Sequence, residues 1–125
     1  MEIVIHEKAD QKVAEFISDS VILHNEKDSI LLLEELFPSG ATRIILHKET
    51  LAPEFFDLRT RLAGAVLQKF VNYSIQVAIV GDFTNIASES LKAFIYESNR
   101  GKQVFFLESV DAAVQKLISA NLPLP

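Results

Sequence analysis

Apolar and polar positions change their period several times along the chain, and each change marks an element. Glu2-Ile3-Val4-Ile5-His6 and Lys12-Val13-Ala14-Glu15-Phe16-Ile17 are short β-type runs separated by the polar stretch Glu7 to Gln11. They predict an antiparallel hairpin. After Ser18 to Ser20 and a brief Val21-Ile22-Leu23 run, Asn25 is a good N-cap, with Glu26 and Asp28 suited to the positive first turn of a helix. That helix is predicted to reach about Phe37, with Ile30, Leu33 and Phe37, flanked by Leu32 and Leu36, as its inner stripe. Pro38-Ser39-Gly40 stops it.

The central stretch, Thr42 to Phe83, reads as one βαβ unit. Thr42 to Leu46 lacks strict alternation, as expected of a strand covered on both faces, and so does Ile75 to Val80. Between them Phe55, Leu58, Leu62, Val66, Phe70 and Tyr73 recur at spacings of three and four, the clearest helical periodicity in the chain. Pro53 and Glu54 suit a first turn. Asp57 is an alternative cap, for a later start that leaves Pro53 to Phe56 as a separate tight turn. Gly64, inside the helix, costs roughly 1 kcal/mol relative to alanine and suggests close packing against a neighbour.

A further helix is expected from Ile86 or Ser88 to Asn99, with Ala87, Leu91, Phe94, Ile95 and Ser98 inward and Gly101 as the left-handed residue that ends it. Gln103 to Leu107 is the last strand. Ser109 caps a final helix with Val110, Ala113, Val114, Leu117 and Ile118 inward, and Asn121-Leu-Pro-Leu-Pro forbids its continuation. The order β-β-α-β-α-β-α-β-α means α/β: an initial antiparallel hairpin, then right-handed β-α units in a mostly parallel five-stranded sheet. Strands that add sequentially leave the helices largely on one side. The alternative is a flavodoxin-like, doubly wound sheet that reverses at a switch point.

With 125 residues, 49% of them hydrophobic, the chain fits one α/β domain over 1–125. The absence of cysteine removes disulfides, thiolate catalysis and zinc–thiolate sites, and fits a cytoplasmic protein. The N-terminus has neither signal-peptide nor transit-peptide layout, and no apolar run approaches the roughly 20 residues of a membrane span. A net charge of −5, from 17 acids against 12 bases scattered along the chain, argues against nucleic acid as a partner.

Chemistry is expected, if anywhere, where the parallel strands end. His47, Lys48, Glu49, Glu54, Asp57, Gly81 and Asp82 collect there: a histidine near carboxylates can be tuned as a general base, a lysine can hold an anion, and Gly81 allows close backbone approach. The same residues also serve as turn caps and solvated loop charges. His47, Glu49 and Asp82 have the ligand types for a metal but no recognised spacing, so neither metal nor cofactor is expected. Phe55 and Phe56, about 100° apart on a helix, cannot both face one core, so Phe56 with Phe83 lines an apolar pocket or dimer contact unless it tucks under the preceding loop. Nucleophilic hydrolysis lacks support: there is no Gly-x-Ser-x-Gly elbow, and no partner is identifiable for Ser88 or Ser90. Phosphate-cradling glycine patterns are absent too. At the opposite sheet edge, Glu97-Ser98-Asn99-Arg100-Gly101-Lys102 reads either as a partner-docking corner, through Glu97, Asn99, Arg100 and Lys102, or as a plain helix end.

The segments HEK (His6-Glu7-Lys8), LAPEFFDLRT, AGAVLQKFVNY, AIVGDF and SLKAFIYESNRGKQ together resemble a bacterial family catalogued as a domain of unknown function. That resemblance names relatives and no activity. The element order, the AIVGD strand end and SVDAAVQKL after the last strand are similar to STAS domains, the anti-sigma-factor-antagonist-like modules. The similarity implies a β-α superhelix used for partner binding, and in relatives for apolar ligands. The phosphorylatable Asp-Ser-Gly-type signature of STAS switches is replaced by HKETLAPE, so a serine phospho-switch is not expected. These residues point first to a non-enzymatic, regulatory module that binds a protein partner or itself as a homodimer. The second expectation is a small-molecule binding protein or enzyme with its site at the strand ends.

Overall fold

The computed structural model describes residues 1–120. Five strands form one sheet in the sequential order β1 (Glu2–Lys8), β2 (Gln11–Ile17), β3 (Arg43–His47), β4 (Gln76–Val80), β5 (Val104–Leu107). β1 is antiparallel to β2, and the remaining pairs are parallel. No strand order reverses, so the doubly wound alternative does not apply.

Four helices follow: α1 (Glu26–Leu36), α2 (Leu62–Asn72), α3 (Glu89–Arg100) and α4 (Val110–Ala120). Sequential right-handed crossovers place α1, α2 and α3 on one face, over Ile44, Leu46, Val77, Ile79 and Phe106. α4 covers the other, over Val13, Ile45, Ala78, Val80 and Phe105. β3 and β4 are sandwiched between the two layers, which is why their residues run apolar without alternation.

Local chemistry sets the ends. Asn25 accepts from the Asp28 N–H at 3.1 Å to open α1, and Gly40, at φ 77°, turns the chain out of the Phe37–Ser39 turn that follows it. Ser88 and Ser109 accept from Leu91 and Ala112, both at 3.1 Å, as caps of α3 and α4. The Asn121-Leu-Pro-Leu-Pro stop lies outside the described residues.

Several expectations are corrected. The long periodic stretch is not one helix: of the two readings, the separate turn at Pro53–Phe56 is the one found, although Asp57 caps a second short turn and not α2 itself. Pro53–Phe56 and Leu58–Thr60 are separate 3-10 turns, and α2 begins at Leu62. Turns of three-residue pitch preserve the i to i+3 spacing, so the periodicity runs through all three pieces. Arg61, at φ 65°, separates the second turn from α2, while Thr60 Oγ1 donates to the Glu54 carbonyl at 2.7 Å and accepts from Leu62 N–H at 3.2 Å. Tyr73 and Phe37, both placed inward by the pattern, lie about half exposed at helix ends and pack on each other with ring centroids 5.9 Å apart. Leu32, Leu33 and Leu36 of the expected stripe are buried, joined by Ser29, while Ile30 is only partly buried. A Cβ on Gly64 would meet nothing within 4 Å, so no neighbour packs closely there. Gly101 sits at φ −89°, ψ −157°, and the end of α3 closes through its N–H to the Ser98 carbonyl at 3.0 Å, without a left-handed residue.

Candidate functional site

The ends of the parallel strands carry an open cleft of about 710 Å³. One wall is the loop after β3. The Lys48–Thr50 turn is held by Thr50 Oγ1 donating to the His47 carbonyl at 2.7 Å, and Ile22 N–H and Ala52 N–H bind Thr50 and Leu23 carbonyls at 2.8 and 2.9 Å. Val21, Leu51 and Pro53 are thereby fixed along the cleft. The segment after β4 makes the opposite wall, with Asp82, Phe83, Asn85, Ile86 and Ala87 leading to Ser88 and Leu91 of the α3 start.

Phe55 is buried, and its neighbour Phe56 turns toward the cleft, which settles the adjacency question. A file of aromatic rings joins the cleft to the core: Phe55 to Phe56 at 5.0 Å, Phe56 to Phe83 at 6.2 Å and Phe83 to Phe106 at 5.3 Å between centroids. Lys48 lies over this file. Its Nζ is 5.1 Å from the Phe83 centroid and 6.0 Å from that of Phe56, and it donates to the Asp82 carbonyl at 2.6 Å. Gly81 makes room for that path, because a Cβ there would come 2.5 Å from Lys48 Cβ. Asp82 accepts from the hydroxyl and the backbone N–H of Thr84, at 2.6 and 2.9 Å. These bonds, and behind them the Lys48 charge, hold its carboxyl below the usual carboxylate range.

His47 is elsewhere. Its side chain turns to the α4 face, where Nε2 lies 2.7 Å from Glu15 Oε2, while His6 Nε2 lies 2.8 Å from Glu15 Oε1. One carboxylate on β2, only 7% exposed, is thus clamped by rings from both neighbouring strands. Burial pushes the Glu15 carboxyl up, but the hydrogen bonds from His47 and His6, with their charge, outweigh it and leave the group below its ordinary value. The register explains the geometry: His6 is level with Val13 and Glu15 with Ile45, so the two histidines sit four residues apart along the sheet and two strands apart across it. Their Cα atoms are roughly 16 Å apart on ordinary strand spacings. The rings therefore reach the carboxylate from opposite sides and take one oxygen each. Among the described residues no group of three or more His, Asp or Glu side chains is arranged to hold a metal ion.

Of the residues expected at the strand ends, Lys48, Glu49, Phe56, Asp82 and Phe83 line the cleft, and Gly81 borders it through the Lys48 contact. Asp57 is turned away, bonded to Arg59 through both carboxylate oxygens at 3.0 and 2.9 Å, and Glu54 is exposed, its carbonyl taken by Thr60. Asn99, expected at the opposite edge, lies instead on the strand-end side near Asp82 and Phe83 and is committed to the backbone of β5: its Oδ1 accepts from Phe106 N–H at 2.7 Å and its Nδ2 donates to the Phe106 carbonyl at 3.1 Å. Arg100 lies over the exposed Tyr96 ring at 5.5 Å, Glu97 and Lys102 are exposed, and the Lys102 carbonyl accepts from Gln76 Nε2 at 2.7 Å. Glu15 was not singled out by sequence reasoning. The available signal was a carboxylate in step with Val13 on the inward side of an otherwise apolar strand.

Residues 8–117 match the family described as a domain of unknown function, DUF4180. The chain belongs to that family. The DUF4180 stretch contains Glu15, His47 and the whole cleft, whereas His6 precedes it. No curated protein and no solved structure matches the chain. Among the described residues no helix is long and apolar enough to cross a membrane.

Proposed function

We propose that this DUF4180 chain is a binding protein whose strand-end cleft holds a small, mainly apolar molecule, with one polar group at the Lys48–Asp82 rim. The observation that carries this is the cleft itself. Its volume of about 710 Å³ suits a small-molecule site, its walls are mostly aliphatic and aromatic, and a few polar groups converge at one side. It also occupies the carboxyl ends of parallel strands, where α/β sheets commonly bind ligands. Binding without reaction is favoured because the polar groups are engaged structurally: Ser88 Oγ caps α3 and contacts Ser90 Oγ at 3.0 Å, and His47 faces Glu15 on the far side of the sheet.

A STAS-like regulatory module that binds a protein partner, the first expectation from the sequence, stands second. Sequential strand order and three helices on one face support it, but fold analogy alone carries little about function. The lack of cysteine and the net charge of −5 support a cytoplasmic setting for either role.

The test is a fluorescence titration with 8-anilinonaphthalene-1-sulfonate, an apolar probe with one polar group. Ala87 is exposed on the cleft wall, so Ala87→Trp fills the space without entering the core. Saturable binding by the parent chain, weakened at least about tenfold (about 1.4 kcal/mol) in Ala87→Trp, is the expected result. Equal binding by both chains would place the probe elsewhere and defeat the proposal.

A further inference from the structure

The free edge of β1 is seven residues long, contains neither proline nor glycine, and is unbroken by a bulge along its ladder with β2. Such an edge is ordinarily blunted or covered. Nothing pairs with it among the described residues, and its substantial packing partner is β2 alone. All of it but Lys8 precedes the stretch that carries the family match. We propose that this edge pairs antiparallel with β1 of a second copy, joining two sheets into one of ten strands.

Backbone direction and side-chain charge select the same register. Ala9 and Asp10, at φ 54° and 61°, form a two-residue hairpin turn with both central residues left-handed. In such a turn the closing pair, Lys8 and Gln11, is the hydrogen-bonded one, and the pairs alternate from there. Glu2, Val4, His6 and Lys8 therefore direct their backbone groups at β2, and Ile3, Ile5 and Glu7 direct theirs outward. An antiparallel copy related by a twofold axis at Ile5 sets Ile5 against Ile5 and Ile3 against Glu7. Every outward N–H and C=O of both strands then meets a partner.

In that register Glu2 lies opposite Lys8 of the second copy, at both ends of the pairing. Ile5, which is 39% exposed, packs against its own equivalent. Sliding by one step in one direction sets His6 against His6 and Ile5 against Glu7; sliding the other way sets Glu2 against His6 and leaves Lys8 unopposed. Only the Ile5-centred register uses all seven residues and pairs every end charge with its opposite. The interface is small, so the association is weak and concentration-dependent.

Sedimentation velocity at low salt, on the full chain from about 10 μM to about 1 mM, tests this, because even a millimolar Kd populates the dimer at the upper end. Wild-type protein is expected to pass from monomer to dimer over this range. Glu2→Lys alone and Lys8→Glu alone place like charges opposite at two points, and each should self-associate about tenfold more weakly. A mixture of the two variants restores both opposite-charge pairs and should recover the wild-type association. That recovery separates a lost interface from a misfolded variant. A wild-type chain that stays monomeric at about 1 mM overturns the proposal. So does a dimer that is indifferent to both charge changes, or a mixture that shows no recovery.

Discussion

His47 Nε2 and Glu15 Oε2 lie 2.7 Å apart across two parallel strands, although 32 residues separate them in the chain. His6 closes the other side of the same carboxylate at 2.8 Å. A buried carboxylate is costly unless its oxygens are satisfied, and here each oxygen has its own imidazole donor. The cluster pins β1, β2 and β3 together on the face where α4 packs mainly on β4 and β5 and less on β2 and β3.

Glu15→Ala removes the shared acceptor and is expected to destabilise the fold by about 2–3 kcal/mol at pH 7. Glu15→Gln keeps the shape but reverses one of the two hydrogen bonds, for about 1 kcal/mol. The sign of the pH dependence follows from the lowered carboxyl pKa. The stability contributed by Glu15 is fully present above the ordinary value of 4.5 and is lost as pH falls through the lower folded-state value. Urea unfolding of wild type and Glu15→Gln should therefore converge below about pH 4.5. A difference that stays constant from neutral to acidic pH would contradict this.

Gly81→Ala forces the new Cβ to 2.5 Å from Lys48 Cβ, which is tied to the backbone and cannot swing away. Relief requires a shift of the loop after β3, at about 1–3 kcal/mol. Thermal unfolding reads the loss of stability, and a changed affinity of the cleft for the naphthalenesulfonate probe reads the displaced Lys48. An unchanged melting temperature would show that the two segments are less tightly apposed.

Val66 is fully buried on α2, against the sheet face shared with α1. Val66→Asp places an unpaired charge there and should cost more than about 4 kcal/mol, seen as loss of the cooperative unfolding transition. Retained cooperativity near the wild-type midpoint would mean that the α2 face is assigned incorrectly.

Asn99 satisfies both backbone groups of Phe106 and so covers part of the β5 edge. Asn99→Ala should destabilise by about 1–2 kcal/mol and speed exchange of the Phe106 amide. Arg100→Ala, at an exposed position, should change stability by less than about 0.5 kcal/mol. Equal effects from the two would remove the structural role given to Asn99.

The layered fold was legible because β3 and β4 lack alternation and the capping residues Asn25 and Ser109 stand where α1 and α4 begin. The Lys48 and Asp82 grouping followed from the rule that parallel strands deliver their carboxyl ends to one edge, and Phe56 with Phe83 from the adjacency of Phe55 and Phe56. Less was legible where two structures share a spacing: the Pro53–Thr60 turns mimic helical periodicity, so the sequence leaves a separate Pro53–Phe56 turn as one of two alternatives, and the left-handed Arg61 that parts the turns from α2 carries no sequence signal. Nor did spacing reveal which face His47 takes. Face is set by register with β2, and Glu15 becomes visible as a partner only once that register is known.

Backbone amide NMR of the 15N-labelled chain, titrated with small apolar acids, alcohols and amines, tests the binding role most directly. Saturable shifts at Lys48, Phe83 and Ser88 are expected for at least one class, absent in Ala87→Trp. Shifts confined to other surfaces, or none in any class, would contradict the assignment of the strand-end cleft as the binding site.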